Sequence, residues 1–359
     1  MPDISKNTYH DNVNNINTLK LRQIQNTLPK FCREFFLGIK DTTSTRTRLA
    51  YAYDLRIFFE FIKENNPLYK DKSITDFSYS ILEEITAQDI VEYMDYLSYY
   101  ENEEGEAVTN DERGKQRKLA SLRSMYNYFY KIEKIEKNPA ALVDFPKLHK
   151  KEIIRLDPGE VATLLDNIEN GEGLTKKQLE FQNKTKIRDL ALITLLLGTG
   201  IRVSECVGLD INNVDFRNNG ILIRRKGGYE DVVYFGEEVE KALKNYIEER
   251  HHIIPESGHE NALFLSLQNK RITVRSVELL VKKYAKTVTS LKKITPHKLR
   301  STYGTTLYQE TGDIYLVADV LGHKDVNTTK KHYAAQNEER KRYAATVVKL
   351  RENDDNDDE

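Results

Sequence analysis

Tryptophan is absent from this chain of 359 residues, and cysteine (2), methionine (3) and proline (8) are scarce. Two cysteines, Cys32 and Cys206, cannot staple a small secreted fold, so the chain must stand on its own core, and a reducing cytoplasm is the simple expectation. Long apolar runs are also missing. The strongest, LALITLLLG at 190–198, falls far short of the roughly 20 residues that span a bilayer. The opening MPDISKNTYHDN is polar and lacks the apolar centre of a signal peptide. In place of tryptophan, 21 tyrosines and 13 phenylalanines supply the large apolar side chains.

The net charge of −1 conceals a segregation. The last eight residues, ENDDNDDE, hold six carboxylates and no base; without them 55 basic residues face 50 acidic ones. The body is mildly basic, which permits a nucleic-acid partner, and residues 352–359 read as an acidic disordered tail. A length of 359 residues accommodates two domains, each with its own core.

The first half reads as helices. Residues 1–28 are polar and Asn-rich and are assigned as an N-terminal extension with room for a short helix and no assigned function. Phe31, Phe35, Phe36 and Ile39 recur at helical spacing, as do Ala52, Leu55, Phe58, Phe59 and Ile62 after the capping cluster DTTSTRTR. Arg46 and Arg48 lie near the start of that second helix, where a phosphate is well received. Thr86 caps AQDIVEYMDYLSYYE, and a polar loop leads to a helix over about 112–133 with Leu119, Leu122, Met125, Tyr126 and Phe129 inward. Its early turns carry Lys115, Arg117, Lys118 and Arg123, a basic stripe suited to DNA phosphates. KNPAALVDFPKLHKK, with two prolines, reads as an extended linker.

The second half mixes helices with a small sheet. LDPGEVATLLDNIEN is a helix opened by Pro158, and 169–184 is a polar excursion. KIRDLALITLLLGTGIRVSECVGL gives a buried helix, a GTG turn and a second helix. Arg202 follows that turn with Glu205 three residues on, so the carboxylate either forms a structural pair or holds Arg202 for a substrate anion. GILIRRKGGYEDVVYFG is the clearest strand signal, with Gly227-Gly228 at the hairpin turn and Lys226 beside it.

The stretch from Thr295 to Tyr333 concentrates chemistry suited to a phosphodiester. His297 and Arg300 share a helix face after Pro296, His323 follows a glycine in a turn, and Tyr333 comes ten residues later. A guanidinium forks onto two phosphate oxygens, an imidazole moves a proton near neutral pH, and a phenol can attack as a nucleophile.

In chain order TGIRVSE, the lysine of RRKGGYEDVVYF, PHKLR, LGHKDVNTT and the terminal HY resemble the motifs of the tyrosine recombinase (phage-integrase) family. NPAALVDFPKLHKK resembles that family's interdomain linker, and the likeness covers roughly residues 30–345. Each motif alone is common; five in order are specific. The length and the excursion at 169–184 resemble the single-protein Xer recombinases of Gram-positive bacteria. Some positions depart from the pattern: Ser301 stands where many members have histidine, Gly304 replaces a usual alanine, Tyr229 and Asp231 occupy the place of a second basic hairpin residue, and the His323–Tyr333 gap is one residue longer.

The resemblance implies a mainly α fold with a small β-sheet, arranged as a two-domain C-shaped clamp. A helical SAM-like core-binding domain at 29–146 would be joined by a linker at 147–155 to a mixed α/β catalytic domain at 156–351. It implies a site-specific DNA recombinase, Xer-like or an element integrase, in which Arg202, Lys226, His297, Arg300, His323 and the nucleophile Tyr333 act on the scissile phosphate, with Glu205 supporting Arg202. Tyr343 is the second choice of nucleophile. Neither metal nor cofactor is implied. The partners would be duplex DNA with paired sites and three further copies of the chain, on the bacterial nucleoid, with no membrane. The alternatives are a non-cleaving DNA-binding protein on the same fold and a type IB topoisomerase-like activity.

Overall fold

In the computed structural model the described residues are 8–102, 104–149, 153–225, 227–323 and 325–333. Two compact units divide the chain, Met1–Lys151 and Glu152–Glu359.

The first unit is built from α1 (Tyr9–Gln25), α2 (Cys32–Gly38), α3 (Thr45–Asn65), α4 (Ser80–Glu84), α5 (Ala87–Tyr96) and α6 (Glu112–Lys131). Residues 1–28, expected as a polar extension with room for a short helix, contain the 17-residue α1. Thr8 and Asp11 form a capping box at its start, Leu21 is buried, and α1 lies along α3. Its polarity hid its length, because only a narrow apolar edge faces the core. In α3 the residues read as inward, Ala52, Leu55, Phe58, Phe59 and Ile62, are all buried, and Ser44 caps the helix by accepting from Thr47 N at 3.2 Å. Each fully buried phenylalanine stabilises the unit by roughly 1.5–3 kcal/mol. The ring of Phe31 sits 5.9 Å from Phe59, 5.1 Å from Tyr79 and 5.6 Å from Phe129, so clustered rings do the filling that tryptophan does elsewhere. The loop after α5 also holds a small hairpin, β1 (Tyr100–Glu101) against β2 (Ala107–Val108).

The second unit wraps around α9 (Lys186–Thr199), which is apolar on nearly all sides and is packed by α7 (Pro158–Asn170), α11 (Glu237–His251) and α13 (Pro296–Thr311). Segment 169–184, read as a polar excursion, is mostly exposed and carries a helix of its own. Asn170 ends α7, Gly171 takes a left-handed cap, and α8 (Lys176–Gln182) folds back so that buried Gln182 donates to Ile168 O at 2.7 Å. At the other end of the unit Asp189 on α9 is fully buried. It accepts from Arg188 at 2.6 Å, Tyr284 Oη at 3.0 Å and Lys283 at 3.3 Å, which ties α9 to α12 (Val274–Ala285). Beyond α9 come α10 (Val203–Gly208) and the antiparallel sheet β3 (Val214–Asp215), β4 (Gly220–Arg224) and β5 (Glu230–Tyr234), in that order. In its register Leu222 faces Val232 and Arg224 faces Glu230. Two further helices, α14 (Ile314–Val320) and α15 (Val326–Tyr333), complete the unit. Among the described residues no helix is long and apolar enough to cross a membrane.

Candidate active site

Three elements converge on one turn. The first is the end of α9. Its left-handed cap Gly200 (φ 61°) leaves no room for a side chain, since a Cβ there would lie 2.4 Å from the Tyr303 ring. This tight turn delivers Arg202 to the N-cap of α10. The second is α13, opened by Pro296, which carries His297 and Arg300 one turn apart. The third is the exit of α14, where Gly322 (φ 60°) reverses the chain before His323. Gly322 N donates to Asp319 O at 2.8 Å and His323 N to Ala318 O at 2.9 Å, which closes the helix end.

The arginines are held by this turn. Arg300 is almost wholly buried; its Nη1 donates to Gly200 O at 2.5 Å and its Nη2 to Leu321 O. Arg202 is about one-third exposed; its Nη2 reaches Gly322 O at 3.4 Å. Glu205, buried on α10, accepts from Arg202 twice, at 2.9 Å from Nη1 and 2.7 Å from the backbone N. The sequence left open whether this carboxylate makes a structural pair or aims the guanidinium. The structure shows the pair itself: the bonds that cap α10 also fix the Arg202 fork. Carbonyls at the negative end of α14 suit the cations gathered there. His323 Nδ1 is hydrogen-bonded with Thr329 Oγ1 on α15 at 2.8 Å, which sets the ring's orientation. His297 lies in the first turn of α13 and is exposed, and Ser301, at the position that departs from the family pattern, donates to His297 O at 3.0 Å. Arg202, Glu205, Arg300 and His323 are thus brought together by direct contacts or by one shared turn.

Lys226 lies outside the described residues, as does Tyr343. The backbone of Tyr333 closes α15, but its side chain is not among those described. Both cysteines are fully buried, and burial pushes each thiol well above its ordinary range, so neither competes as a nucleophile. A residue that sequence reasoning missed is Arg225. It is only 3 % exposed and pairs with Asp231 at 2.9 Å and Glu205 at 3.6 Å. Strand alternation carried the signal: Ile221 and Ile223 point inward, so the next residue on that face does too, and an inward arginine needs anions.

The basic stripe of the first unit is arranged differently from its reading. Arg46 is exposed and Arg48 is partly covered. On α6, Lys118 is turned inward. It donates to Asn110 Oδ1 at 2.9 Å, stands 3.9 Å from Asp54, and burial lowers its pKa. Arg123 is engaged by the Ala140 and Val143 carbonyls and lies over the Phe145 ring at 4.1 Å, which fastens the start of the linker to α6. Lys115 is partly covered and donates to Ser98 Oγ at 2.5 Å. Arg117 is about half exposed and is held by buried Asp54, whose own pKa is raised by desolvation against the pull of Arg117. The expected surface stripe therefore reduces to Arg117 and Lys115, because an inward aspartate on α3 draws Lys118 out of solvent.

Residues 155–340 match the phage integrase family. The tyrosine recombinase XerC of Caldanaerobacter subterraneus subsp. tengcongensis is 35% identical over 311 residues, covering 83% of this chain and 81% of the relative. The tyrosine recombinase XerS of Lactococcus lactis subsp. cremoris is 27% identical, covering 89% of this chain and 96% of the relative. Among solved structures, the XerH site-specific recombinase bound to a palindromic difH substrate superposes with a TM-score of 0.64 at 20% identity, over 85% of this chain and 81% of that one. The Tn1549 transposon integrase with circular intermediate DNA gives 0.62 at 23% identity, over 89% and 99%. At those identities the structures speak for a shared fold.

Proposed function

The chain belongs to the phage integrase family, and from that premise we propose that it is a site-specific recombinase that breaks and rejoins duplex DNA through a tyrosyl–phosphate bond. The observation that carries the proposal is the pair of guanidiniums, Arg202 and Arg300, anchored on the turn that leads into His323. Two forked cations fixed by protein carbonyls and a buried carboxylate are preorganised for the non-bridging oxygens of one phosphate, where charge grows in the transition state.

In this reading Tyr333 Oη attacks the scissile phosphorus and the P–O5′ bond breaks, leaving a 3′-phosphotyrosyl link and a 5′-hydroxyl. His297 takes the phenol proton and returns it during rejoining. Lys226 gives a proton to the departing O5′. His323 hydrogen-bonds a phosphate oxygen, and Glu205 holds Arg202. The covalent link conserves the energy of the broken ester, so rejoining needs no nucleotide, and the arginines supply the charge that a metal supplies elsewhere.

The partner is duplex DNA, a reading supported by the XerH recombinase bound to its palindromic difH substrate and the Tn1549 integrase in complex with circular intermediate DNA. The finer assembly is also part of the proposal: four protomers pair two sites and exchange strands through a Holliday junction. An apolar groove of about 380 Å³ on the second unit, lined by Val161, Leu197, Tyr303 and Leu307, supports docking between protomers. Ala344, Val347, Val348 and Leu350, in the segment after Tyr333, have the apolar character to fill it. Arg46, Arg117 and Lys115 are the first-unit cations offered to phosphates.

The test is a nicked suicide substrate incubated with the full chain in excess EDTA and without nucleotide. A covalent protein–DNA adduct is expected. A strict requirement for a divalent metal at the chemical step contradicts the mechanism. Relaxation of supercoiled plasmid without paired sites, in the absence of strand exchange, would instead mark a topoisomerase.

A further inference from the structure

Arg225 joins two halves of the site that are distant in sequence. Its guanidinium has four partners on three elements. Asp231 Oδ2 of β5 is at 2.9 Å from Nε, and Glu205 Oε2 of α10 is at 3.6 Å from Nη1. The Val320 and Leu321 carbonyls at the end of α14 accept from Nη2 at 2.9 Å and from Nη1 at 3.4 Å. Its backbone closes the hairpin, donating to Tyr229 O at 2.9 Å and accepting from Gly228 N at 3.0 Å. The residue fixed at both its main chain and its side chain is therefore the one that immediately precedes Lys226.

The contact with the turn is close. A Cβ on Gly322 would stand 2.8 Å from Arg225 Cζ and 2.9 Å from Nε, so the turn before His323 lies against the guanidinium. The sharing of acceptors extends the link. Leu321 O also accepts from Arg300, and Glu205 also holds Arg202. With its side chain about 1 % exposed, Arg225 is too buried to bind DNA itself.

We propose that Arg225 is a positioning residue for strand cleavage: it clamps the hairpin that carries Lys226 to the turn that carries His323, so that the acid for the leaving oxygen arrives in register with the phosphate clamp. This rests on the recombinase reading above. Only a planar fork with several donors reaches two carboxylates and two carbonyls together; an ammonium keeps the charge and loses that reach. Arg225→Lys separates charge from geometry.

Single-turnover cleavage is compared for the wild type, Arg225→Lys and Asp231→Asn on two nicked suicide substrates. One has the ordinary ester. The other has sulfur in the 5′-bridging position, where the P–S bond breaks and the sulfur leaves as a thiolate that needs no proton. With Arg225→Lys, cleavage of the ordinary ester should slow by about 10- to 100-fold, part of what acid catalysis contributes, while the sulfur substrate stays within about threefold of wild type. DNA affinity should be unchanged. Asp231→Asn should show the same selectivity with a smaller loss; its partly exposed side chain makes it the deciding variant if Arg225→Lys does not fold. Equal loss on both substrates, or no loss on either, overturns the proposal while leaving the recombinase reading intact. A wild type that forms no adduct on either substrate sinks that reading, and the proposal with it.

Discussion

Replacing Glu205 by glutamine keeps the volume of the side chain and removes its charge. Three contacts feel the change: the Arg202 guanidinium at 2.9 Å, the Arg202 backbone N–H at 2.7 Å, and the Arg225 guanidinium at 3.6 Å. Arg225 keeps Asp231, so its charge is not stranded, but the amide must turn an N–H toward a donor on one side. Breaking a buried ion pair costs about 3–5 kcal/mol, and the retained Asp231 argues for the lower end, about 3 kcal/mol. For a domain of 150–250 residues each kcal/mol moves Tm by about 2–4 °C, so a fall of roughly 6–12 °C is expected for the second unit. Cleavage should fall as well, because Arg202 loses the group that aims it. Loss of one fixed donor to a developing charge typically costs about 10²–10³ in rate, and a misaimed arginine should cost less, about 10- to 100-fold. Thermal melts and single-turnover cleavage measure the two effects, and a double-mutant cycle separates them. Because Glu205 acts on cleavage chiefly through Arg202, with a smaller share through Arg225, adding Glu205→Gln to Arg202→Ala should remove much less rate than Glu205→Gln removes from the wild type. Unchanged Tm and rate, or fully additive losses, would refute this reasoning.

Other expectations follow from the same geometry. Arg46→Ala with Arg117→Ala should lower the salt slope of DNA binding by about two units, because each lost phosphate contact releases about 0.9 fewer counterions, with similar weakening on site and non-site DNA; an unchanged slope in a salt titration removes these helices from the DNA face. Lys118→Ala should do the reverse, leaving the slope in place and lowering the melting temperature, because buried Asp54 then loses a nearby cation; a slope reduced by about one unit with no change in Tm would return Lys118 to the surface stripe. Gly200→Ala should destabilise the second unit and slow cleavage together, since its Cβ would meet the Tyr303 ring at 2.4 Å and shift the carbonyl that anchors Arg300; a variant with wild-type melting and cleavage would show that this turn has slack.

Much of the fold was legible wherever a helix shows a broad apolar face. The stripe Ala52, Leu55, Phe58, Phe59 and Ile62 and the inner face of α6 needed only periodicity. The local pair Arg202–Glu205 was legible for a similar reason, since three residues on a helix are neighbours whatever surrounds them. What escaped depends on partners far along the chain. Asp54 reads as a solvent residue on α3 until it meets Arg117 from α6, 63 residues later, and that meeting is what turns Lys118 inward. Arg225 looked like one more basic residue beside the hairpin lysine, although its place in the strand alternation demanded anions; the two carbonyls it uses lie about 95 residues away. The helix α1 was expected only as a short one, because its sequence is polar on most sides and shows its few apolar contacts only against α3. The motifs identified the phosphate chemistry, and the turn at Leu321–Gly322 as the common anchor of both arginines was visible only in three dimensions.

The central claim is that Tyr333, at the end of α15, becomes bonded to DNA. The direct measurement is to trap the adduct on a suicide substrate, digest the protein, and locate the nucleotide-bearing peptide by mass spectrometry, with Tyr333→Phe run beside the wild type. The account predicts a modification on Tyr333 alone, and a phenylalanine variant that binds the DNA site as well as wild type yet forms no adduct. An adduct that persists in Tyr333→Phe, or that maps to Tyr343, contradicts it.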